Sequence, residues 1–432
     1  MIRSIVWFKT DLRIHDNETL IKAIAQSDEI IPVYCFDNAD FGLNEFGFQK
    51  TGKFRTKFLF ESLVDLDKEL RQLGSGLLVV KGNPETELIN IAKYYQANKL
   101  FAKKEVAFNE KQIEKRVEKE LWKLKCEVET FSTSTLYHAQ DLPFSIKDIP
   151  DVFTNFRKKI EKESSIRSVY PSPLSIKSPI IPPIKLPTLE ELGLTEPLID
   201  HKSVLPFKGG ESEGHKRLDH YFFETKAVSN YKHTRNELVG ADYSSKFSVW
   251  LALGCLSARG IYDKLKQYEA QCGANESTYW LVFELIWRDY FRFMMKKHGH
   301  QFFLPSGIKP VETIVQQHNE ELLQKWVHGE TGNDFIDANM IELKQTGFMS
   351  NRGRQNVASY LCHDLKLDWR YGAAYFQQQL IDYDVSSNWG NWAYLAGVGN
   401  DPRGQRYFNI EKQANDYDSK QQFRKLWLTK TI

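Results

Sequence analysis

The segment SIVWF, at Ser4–Phe8, is the first of five short runs rich in β-branched and aromatic residues in the first 132 residues. The other four runs are IIPVYCF at Ile30–Phe36, LLVVK at Leu77–Lys81, KLFAK at Lys99–Lys103 and EVETF at Glu127–Phe131. Helical patterns separate the runs, as in Phe54–Leu73 and Glu85–Tyr95, where apolar side chains recur about every 3.6 residues. Alternation of this kind predicts a parallel sheet with helices on both faces, and residues 1–132 are predicted to form this α/β domain.

The residues that follow have a different composition. Ten of the 15 prolines lie between Pro143 and Pro206. Proline disfavours both helix continuation and strand pairing, so residues 133–210 are predicted to be an extended linker that wraps the surface of the folded parts.

From Glu211 onward the pattern is helical, and residues 211–432 are predicted to form an all-α domain. The clearest helix is Tyr279–Lys297, with Ser277 or Thr278 as its predicted N-cap and Gly299 just beyond its end. Eight of the ten tryptophans follow residue 249. They indicate either an aromatic helical core or the surroundings of a flat ligand or an electron path.

Composition excludes several classes of protein. The 432 residues carry a formal net charge of +2, which does not indicate a protein that coats polyanions. The five cysteines are scattered without a C-x-x-C pair, so neither a disulfide framework nor a zinc knuckle is predicted. No apolar run reaches membrane-spanning length, and the first strand begins too near Met1 for a signal peptide. We therefore expect a cytoplasmic protein without a membrane partner.

Two segments that could form phosphate-binding loops lack residues that such loops require. The first strand runs into Lys9-Thr10-Asp11, without the glycines that a dinucleotide-binding turn requires. Gly47–Lys53 matches G-x-x-x-x-G-K, but Phe54 stands where Ser or Thr must bind Mg²⁺. Neither loop supports a nucleotide site in the α/β domain.

Four candidate sites lie in the helical part, and each has a structural alternative. Glu284 shares a helix face with aromatic residues, but an i,i+4 pair with Arg288 would also explain it. Asn351–Asn356 can hold phosphates or form a solvated helix start. Tyr243–Ser248 can bind an anion or supply an N-cap. Asp382 and Asp384 have no accompanying histidine and do not indicate a metal site.

Longer motifs give these sites a context. Taken together, they are similar to those of the photolyase/cryptochrome family, and within it to the DASH cryptochromes. They are VWFKTDLRIHDN (Val6–Asn17), KTGKFR (Lys50–Arg55), STLYHAQDLPF (Ser134–Phe144), FELIWRDYFRF (Phe283–Phe293), TGFMSNRGRQNVASYL (Thr346–Leu361), DWRYGAAYF (Asp368–Phe376) and VGNDPRGQRYFNIEKQANDYD (Val398–Asp418).

The resemblance implies a Rossmann-like α/β domain joined by the long linker to an all-α FAD-binding domain. The positions that correspond to FAD contacts are Tyr231, Ser244, Ser245, Lys246, Phe247, Ser248, Trp287, Arg288, Asn351, Arg354, Asp382, Asp384 and Asn388. Asn388 corresponds to the residue beside flavin N5. A 5,10-methenyltetrahydrofolate antenna is also implied, at Asn109 and Glu110, although acidic residues at a helix start have a structural explanation as well.

The implied activity is light-driven repair of cyclobutane pyrimidine dimers, by electron transfer from excited reduced FAD. Glu284, Trp287, Gln355 and Tyr394 correspond to residues that contact the damaged bases. Gln355 and Tyr394 replace the Met and Trp of double-strand photolyases, which favours single-stranded DNA over duplex DNA or RNA. The alternative is a blue-light photoreceptor with little repair activity.

The implied photoreduction path is incomplete. Trp392 and Trp369 correspond to its first two tryptophans, but Gln316 occupies the position of the third.

Overall fold

The computed structural model describes residues 1–198, 200–309, 318–404 and 406–429. Its sheet has five parallel strands in the order β3-β2-β1-β4-β5. The strands are β1 (Arg3–Phe8), β2 (Glu29–Asp37), β3 (Leu78–Gly82), β4 (Lys99–Lys103) and β5 (Glu127–Phe131). All five predicted strands are confirmed, because each was marked by a short apolar run between helical patterns.

Helices cover both faces of this sheet, as predicted. Before residue 211 the helices are α1 (Glu18–Gln26), α2 (Lys53–Gln72), α3 (Pro84–Tyr95), α4 (Phe108–Trp122) and α5 (Phe153–Glu163). Successive side chains of β1 alternate between the faces: Ile5 and Trp7 pack with α3 and α4, whereas Val6 and Phe8 pack with α1 and α2. The strands are buried on both sides, which explains their nearly continuous apolar sequence.

The remainder of the described chain is helical, as predicted. Its helices are α6 (Glu211–Asp219), α7 (Tyr231–Thr234), α8 (Ser248–Ala252), α9 (Ala258–Cys272), α10 (Glu276–His298), α11 (Glu320–His328), α12 (Asp334–Thr346), α13 (Asn351–Ser359), α14 (Trp369–Gln379), α15 (Val385–Leu395), α16 (Ile410–Tyr417) and α17 (Gln422–Leu428). Single π-helical turns continue α6 and α13, at His220–Glu224 and Tyr360–Asp364. None of the described helices has the length and apolar character needed to cross a membrane.

Two local predictions were wrong. The proline-rich segment is not extended throughout, because it contains α5, whose Phe153, Phe156 and Ile160 are buried. The N-cap of α10 is Asn275 rather than Ser277 or Thr278. Its side chain accepts hydrogen bonds from the amides of Ser277 and Thr278, and the Thr278 hydroxyl accepts one from the Asn275 amide. This reciprocal capping box satisfies amides that would otherwise lack partners.

The turn after β1 joins the α/β part to the helical part. The Leu12 amide donates to the Leu253 carbonyl at 3.1 Å, and the buried Arg13 guanidinium donates to the carbonyls of Gly254 and Thr133. Asp16 and Arg259 form a buried ion pair at 2.7 Å. These bonds fix the orientation of the helical part against the sheet.

Candidate functional site

A cavity of about 100 Å³, open to solvent on one side, lies between α13, α14 and α15. Seven of the predicted site residues line it: Asn351, Arg354, Gln355, Asp382, Asp384, Asn388 and Trp392. They lie on two helices and on the loop after α14. The structure therefore brings together residues from two separate segments of the chain, 351–355 and 382–392.

Arg354 and Asp382 form one polar wall of the cavity. One guanidinium nitrogen of Arg354 donates to both Asp382 carboxylate oxygens, at 3.0 and 2.9 Å, while its Nε donates to the Met349 carbonyl. The Asp382 side chain is only 1% exposed. Arg352 points elsewhere, toward Asn236 and the ring of Tyr417. The two cations of the Asn351–Asn356 cluster therefore have different roles.

Asp384 and Asn388 lie on the first turn of α15. Asp384 is the N-cap of the helix and accepts a hydrogen bond from the Ser387 amide at 2.8 Å. Burial would raise the pKa of Asp384, but Arg288 and Arg292 outweigh it, so this pKa lies below its usual value. The buried Asn388 side chain donates to the Ala373 carbonyl at 3.0 Å. Both side chains are thus fixed by bonds within the protein.

The two predicted relay tryptophans are buried but have different ring neighbours. Trp392 packs edge-on against Phe376 and Trp326, at centroid distances of 5.1 and 6.2 Å. Trp369 donates from its indole to the Pro305 carbonyl and packs edge-on against Trp389 at 5.8 Å. Gln316, at the position of the absent third tryptophan, lies outside the described residues.

A second group of predicted residues, Tyr231 and Ser244–Ser248, precedes α9. Lys246 is 3% exposed, adopts a left-handed backbone (φ 57°) and lies 3.3 Å from the Tyr243 ring centroid. Burial lowers the pKa of Lys246 to about 7. The serines do not cap α8, whose N-cap is Phe247 without a side-chain bond, so the capping explanation was wrong. Ser248 is exposed, whereas Tyr231 is buried.

Glu342 connects the two groups. It is 1% exposed, and its Oε2 has no hydrogen-bond partner among the described atoms. Burial raises the pKa of Glu342 to about 8, although Lys246 and Arg354 both act to lower it. The Phe348 ring lies within 6.0 Å of the cationic groups of the same two residues. Lys246 and Arg354 therefore belong to one site.

An aromatic wall lies on the side of α15 that faces α10. Trp287 stacks on Phe153 of α5 with ring centroids 3.6 Å apart, and its other neighbours include Tyr394, edge-on at 5.9 Å. The Tyr394 hydroxyl accepts a hydrogen bond from Arg406 at 2.7 Å. Trp287 is therefore placed with the predicted substrate residues, outside the lining of the cavity.

Glu284 pairs with Arg235 rather than with Arg288, so the expected i,i+4 pair is wrong. The Arg235–Glu284 ion pair is 2.7 Å long. Burial raises the pKa of Glu284, and Arg235 opposes that rise. Arg288 instead donates to the carbonyls of Ser134 and Leu251. The carboxylate is therefore held by a residue from outside its own helix.

The predicted antenna residues begin α4, far along the chain from the cavity residues. Asn109 is exposed and Glu110 is half-buried. Burial raises the pKa of Glu110 to about 7, and the charges of Glu105 and Asp40 add to the rise. A backbone hydrogen bond at the start of α4 acts to lower this pKa, as expected for an acidic residue at a helix N-terminus, but burial is the larger effect.

Sequence reasoning missed several residues of the site. Arg217 donates to the backbone carbonyls of Ala241, Ser244 and Ser245 and so holds the segment that carries Lys246. Arg235, Glu342 and Arg406 were missed as well. The spacing of Asn339, Glu342 and Thr346 puts polar residues on one face of α12, but the same pattern is typical of a solvated face.

Comparisons with known proteins identify this arrangement. The family model "DNA photolyase" matches residues 4–175, and "FAD binding domain of DNA photolyase" matches residues 280–431. Cryptochrome DASH of Gloeobacter violaceus is 48% identical over 98% of this chain and 85% of its own length. That of Danio rerio is 47% identical over 97% and 82%. The crystal structure of Synechocystis cryptochrome is 46% identical, with a TM-score of 0.95, and the match covers 99% of this chain and 89% of that chain.

The fold and the cavity are thus those of a photolyase-type protein whose helical part is an FAD-binding domain. Within that class, the chain belongs to the cryptochrome DASH family.

The residues present fit FAD. Lys246 has no acidic partner within ion-pair distance in the described part of the chain, and a diphosphate would supply the missing negative charge. The Glu342 Oε2 atom has no hydrogen-bond partner among the described atoms and can accept one from a ligand. Arg354 lines the cavity and is also accessible to a ligand there.

Proposed function

We propose that this protein uses light to repair cyclobutane pyrimidine dimers, preferentially in single-stranded DNA. The observation that carries the proposal is the partly buried Glu284 carboxylate on the same helix as Trp287, whose ring meets Tyr394. Two aromatic rings can stack on a pyrimidine dimer that is flipped out of the strand. A carboxyl group beside them can form hydrogen bonds to the edges of its bases.

FAD, when bound in its reduced form, supplies the light-driven electron that opens the cyclobutane ring and accepts that electron back afterwards. Lys246 and Arg354 hold the diphosphate, while Asp382 keeps the Arg354 guanidinium in place. Asn388, oriented by its bond to the Ala373 carbonyl, would interact with the flavin. Trp392 and Trp369 would relay electrons from an external reductant toward the bound flavin during photoreduction.

Tyr394 and Gln355 are the basis for the strand preference. Stacking contributes about 1–3 kcal/mol per base, and a tyrosine ring offers less stacking area than a tryptophan ring. Extruding a base from duplex costs a few kcal/mol, a cost that single strands largely avoid. A weaker aromatic wall therefore binds lesions in single strands but not in duplex.

An antenna at Asn109 and Glu110 belongs to the same proposal, with 5,10-methenyltetrahydrofolate as its chromophore. The absorption spectrum of the purified protein tests both chromophores. Flavin bands with an added near-ultraviolet band that disappears in Glu110→Ala would support the folate site. Flavin bands alone in the wild type would contradict it.

Repair is tested with photoreduced protein and dimer-containing oligothymidylate under blue light. We expect restored thymine absorbance on single strands, a loss of at least about tenfold in Glu284→Gln, and unchanged flavin content in that variant. Tyr394→Trp should increase activity on duplex, whereas Tyr407→Trp, at an exposed position, should not.

No repair on either substrate would overturn the proposal. Light-dependent binding of a protein partner without repair would instead support the blue-light photoreceptor function.

A further inference from the structure

Two histidines and one glutamate meet where the turn after β1 contacts the first turn of α6, away from the FAD cavity. One ligand atom each from His15, Glu211 and His215 lies within 4.8 Å of the other two. His15 comes from the α/β part, whereas Glu211 and His215 are one helical turn apart on α6. The cluster therefore spans the two parts of the molecule.

The Glu211 carboxylate is fixed before any ligand arrives. Its Oε2 accepts a hydrogen bond from the Ile14 amide at 2.6 Å, and its Oε1 accepts one from the His15 amide at 3.0 Å. Each carboxylate oxygen has a second lone pair and can accept another partner. The same two hydrogen bonds hold the backbone of His15 against Glu211, which keeps the imidazole close to the carboxylate.

One separation in the cluster is close to that of two ligands on one ion, and the other two are at most 4.8 Å. His215 Nε2 lies 3.5 Å from Glu211 Oε1 and makes no hydrogen bond to it. Two ligands that bind one Zn²⁺ tetrahedrally, at about 2.0–2.1 Å, are about 3.3–3.4 Å apart. The histidine rings are 5.8 Å apart and nearly perpendicular, so neither ring covers the other.

We propose that His15, Glu211 and His215 bind a divalent transition-metal ion of the Zn²⁺ type. Two imidazoles and one carboxylate form a ligand set that such ions prefer over Mg²⁺ or Ca²⁺. Solvent completes the coordination from the side of His215, whose side chain is 41% exposed. The ion links the turn after β1 to α6 and so cross-links the α/β and helical parts.

The test uses untagged, FAD-containing protein stripped of metal and then dialysed against Zn²⁺. We expect about one zinc per chain by elemental mass spectrometry, and a rise in Tm on adding Zn²⁺. His215→Ala should lose the tight zinc and the Tm rise but keep its flavin content. His201→Ala removes a histidine that is 78% exposed and should behave as the wild type.

Equal zinc uptake by the wild type and His215→Ala, or no uptake by the wild type, would overturn the proposal. Zinc uptake that falls equally in His201→Ala would show unspecific surface binding and would overturn it as well. Because neither assay measures repair, the result does not depend on the proposed function.

Discussion

At the scale of single residues, the proposed FAD site contains two buried charged groups, Lys246 and Glu342, that have no opposite charge at ion-pair distance in the described part of the chain. Lys246 and Glu342 are nearly inaccessible to solvent, and each interacts with the other only over a longer range. Burying such groups without a partner is unfavourable, and a bound anion removes part of that cost for Lys246. The site is therefore destabilising until it is filled.

Binding of FAD to the flavin-free protein should weaken as pH rises above about 7. Burial lowers the pKa of Lys246 to about 7 in the flavin-free protein, and a bound diphosphate raises it. Between the pKa of the free protein and that of the complex, binding of FAD therefore takes up a proton. We expect the affinity to fall by up to about tenfold per pH unit there. Quenching of FAD fluorescence at several pH values measures it.

Lys246→Met should bind FAD more weakly and without this pH dependence. Lys216→Met, at an exposed lysine, is the matched control and should behave as the wild type. If FAD affinity depends on pH equally in Lys246→Met and in the wild type, Lys246 is not the group that causes the pH dependence.

Arg235→Gln should raise the pKa of Glu284 further, because burial then acts without the opposing cation. We expect the inflection that Glu284 contributes to the pH profile of lesion binding to move to higher pH. Affinity for a dimer-containing oligonucleotide, measured across pH, gives the midpoint. Glu284→Gln should abolish the inflection, and Lys232→Gln, which removes the neighbouring ion pair with Glu276, should leave it in place. An unmoved or lower midpoint in Arg235→Gln would contradict the expectation.

At the scale of elements, the contact between α14 and α15 positions Trp392. A Cβ at Gly372 would lie 2.2 Å from the Trp392 ring, so only glycine allows this approach. Gly390 permits a similar contact of α15 with Phe291 of α10. Glycine is unfavourable inside a helix, and here it is retained for close packing on both sides of α15.

Gly372→Ala should therefore displace Trp392 and open the packing of α14 against α15. We expect a loss of about 1–3 kcal/mol of stability, as for overpacked cores, with a reduced flavin content. Thermal unfolding and the flavin-to-protein absorbance ratio measure the two effects. Gly42→Ala, whose Cβ would meet its nearest neighbour at 3.8 Å, should change stability by less than about 0.5 kcal/mol. Equal effects of the two substitutions would exclude the packing explanation.

At the scale of the whole molecule, the buried Asp16–Arg259 ion pair is among the contacts that join the α/β part to the helical part. Asp16 accepts two bonds from Arg259, at 3.1 and 2.7 Å, and a third from the Tyr170 amide of the proline-rich segment. Three distant segments therefore meet at one carboxylate. Breaking a buried pair by removing a single partner is costly, because the remaining charge stays buried.

Arg259→Leu should lower the free energy of unfolding by about 3–5 kcal/mol, measured by chemical denaturation. Asp16→Asn combined with Arg259→Leu should recover part of that loss, because asparagine tolerates the left-handed backbone at residue 16 (φ 52°) and carries no charge. Lys123→Ala breaks an exposed pair with Glu120 and should cost about 1 kcal/mol or less. A double variant less stable than Arg259→Leu would contradict the expectation.

The strands, the helical second part and the family could all be predicted from the sequence, because they depend on local periodicity and on ordered motifs. The sequence also selected the residues of the cavity: Asn351 and Arg354 lie within a long motif, whereas Asp382 and Asn388 belong to a separate polar cluster at residues 382–392. It could not determine their partners. Asp382 meets Arg354 only because α13 packs beside the loop after α14.

The pairing of charged residues depends on the tertiary structure. Glu284 pairs with Arg235, 49 residues away, rather than with Arg288 one turn along its own helix. Phe153 of the proline-rich segment stacks on Trp287, and the charges of Lys246 and Arg354 both act on Glu342. Such contacts depend on how helices pack after the chain has folded, and spacing along the sequence carries no record of that packing.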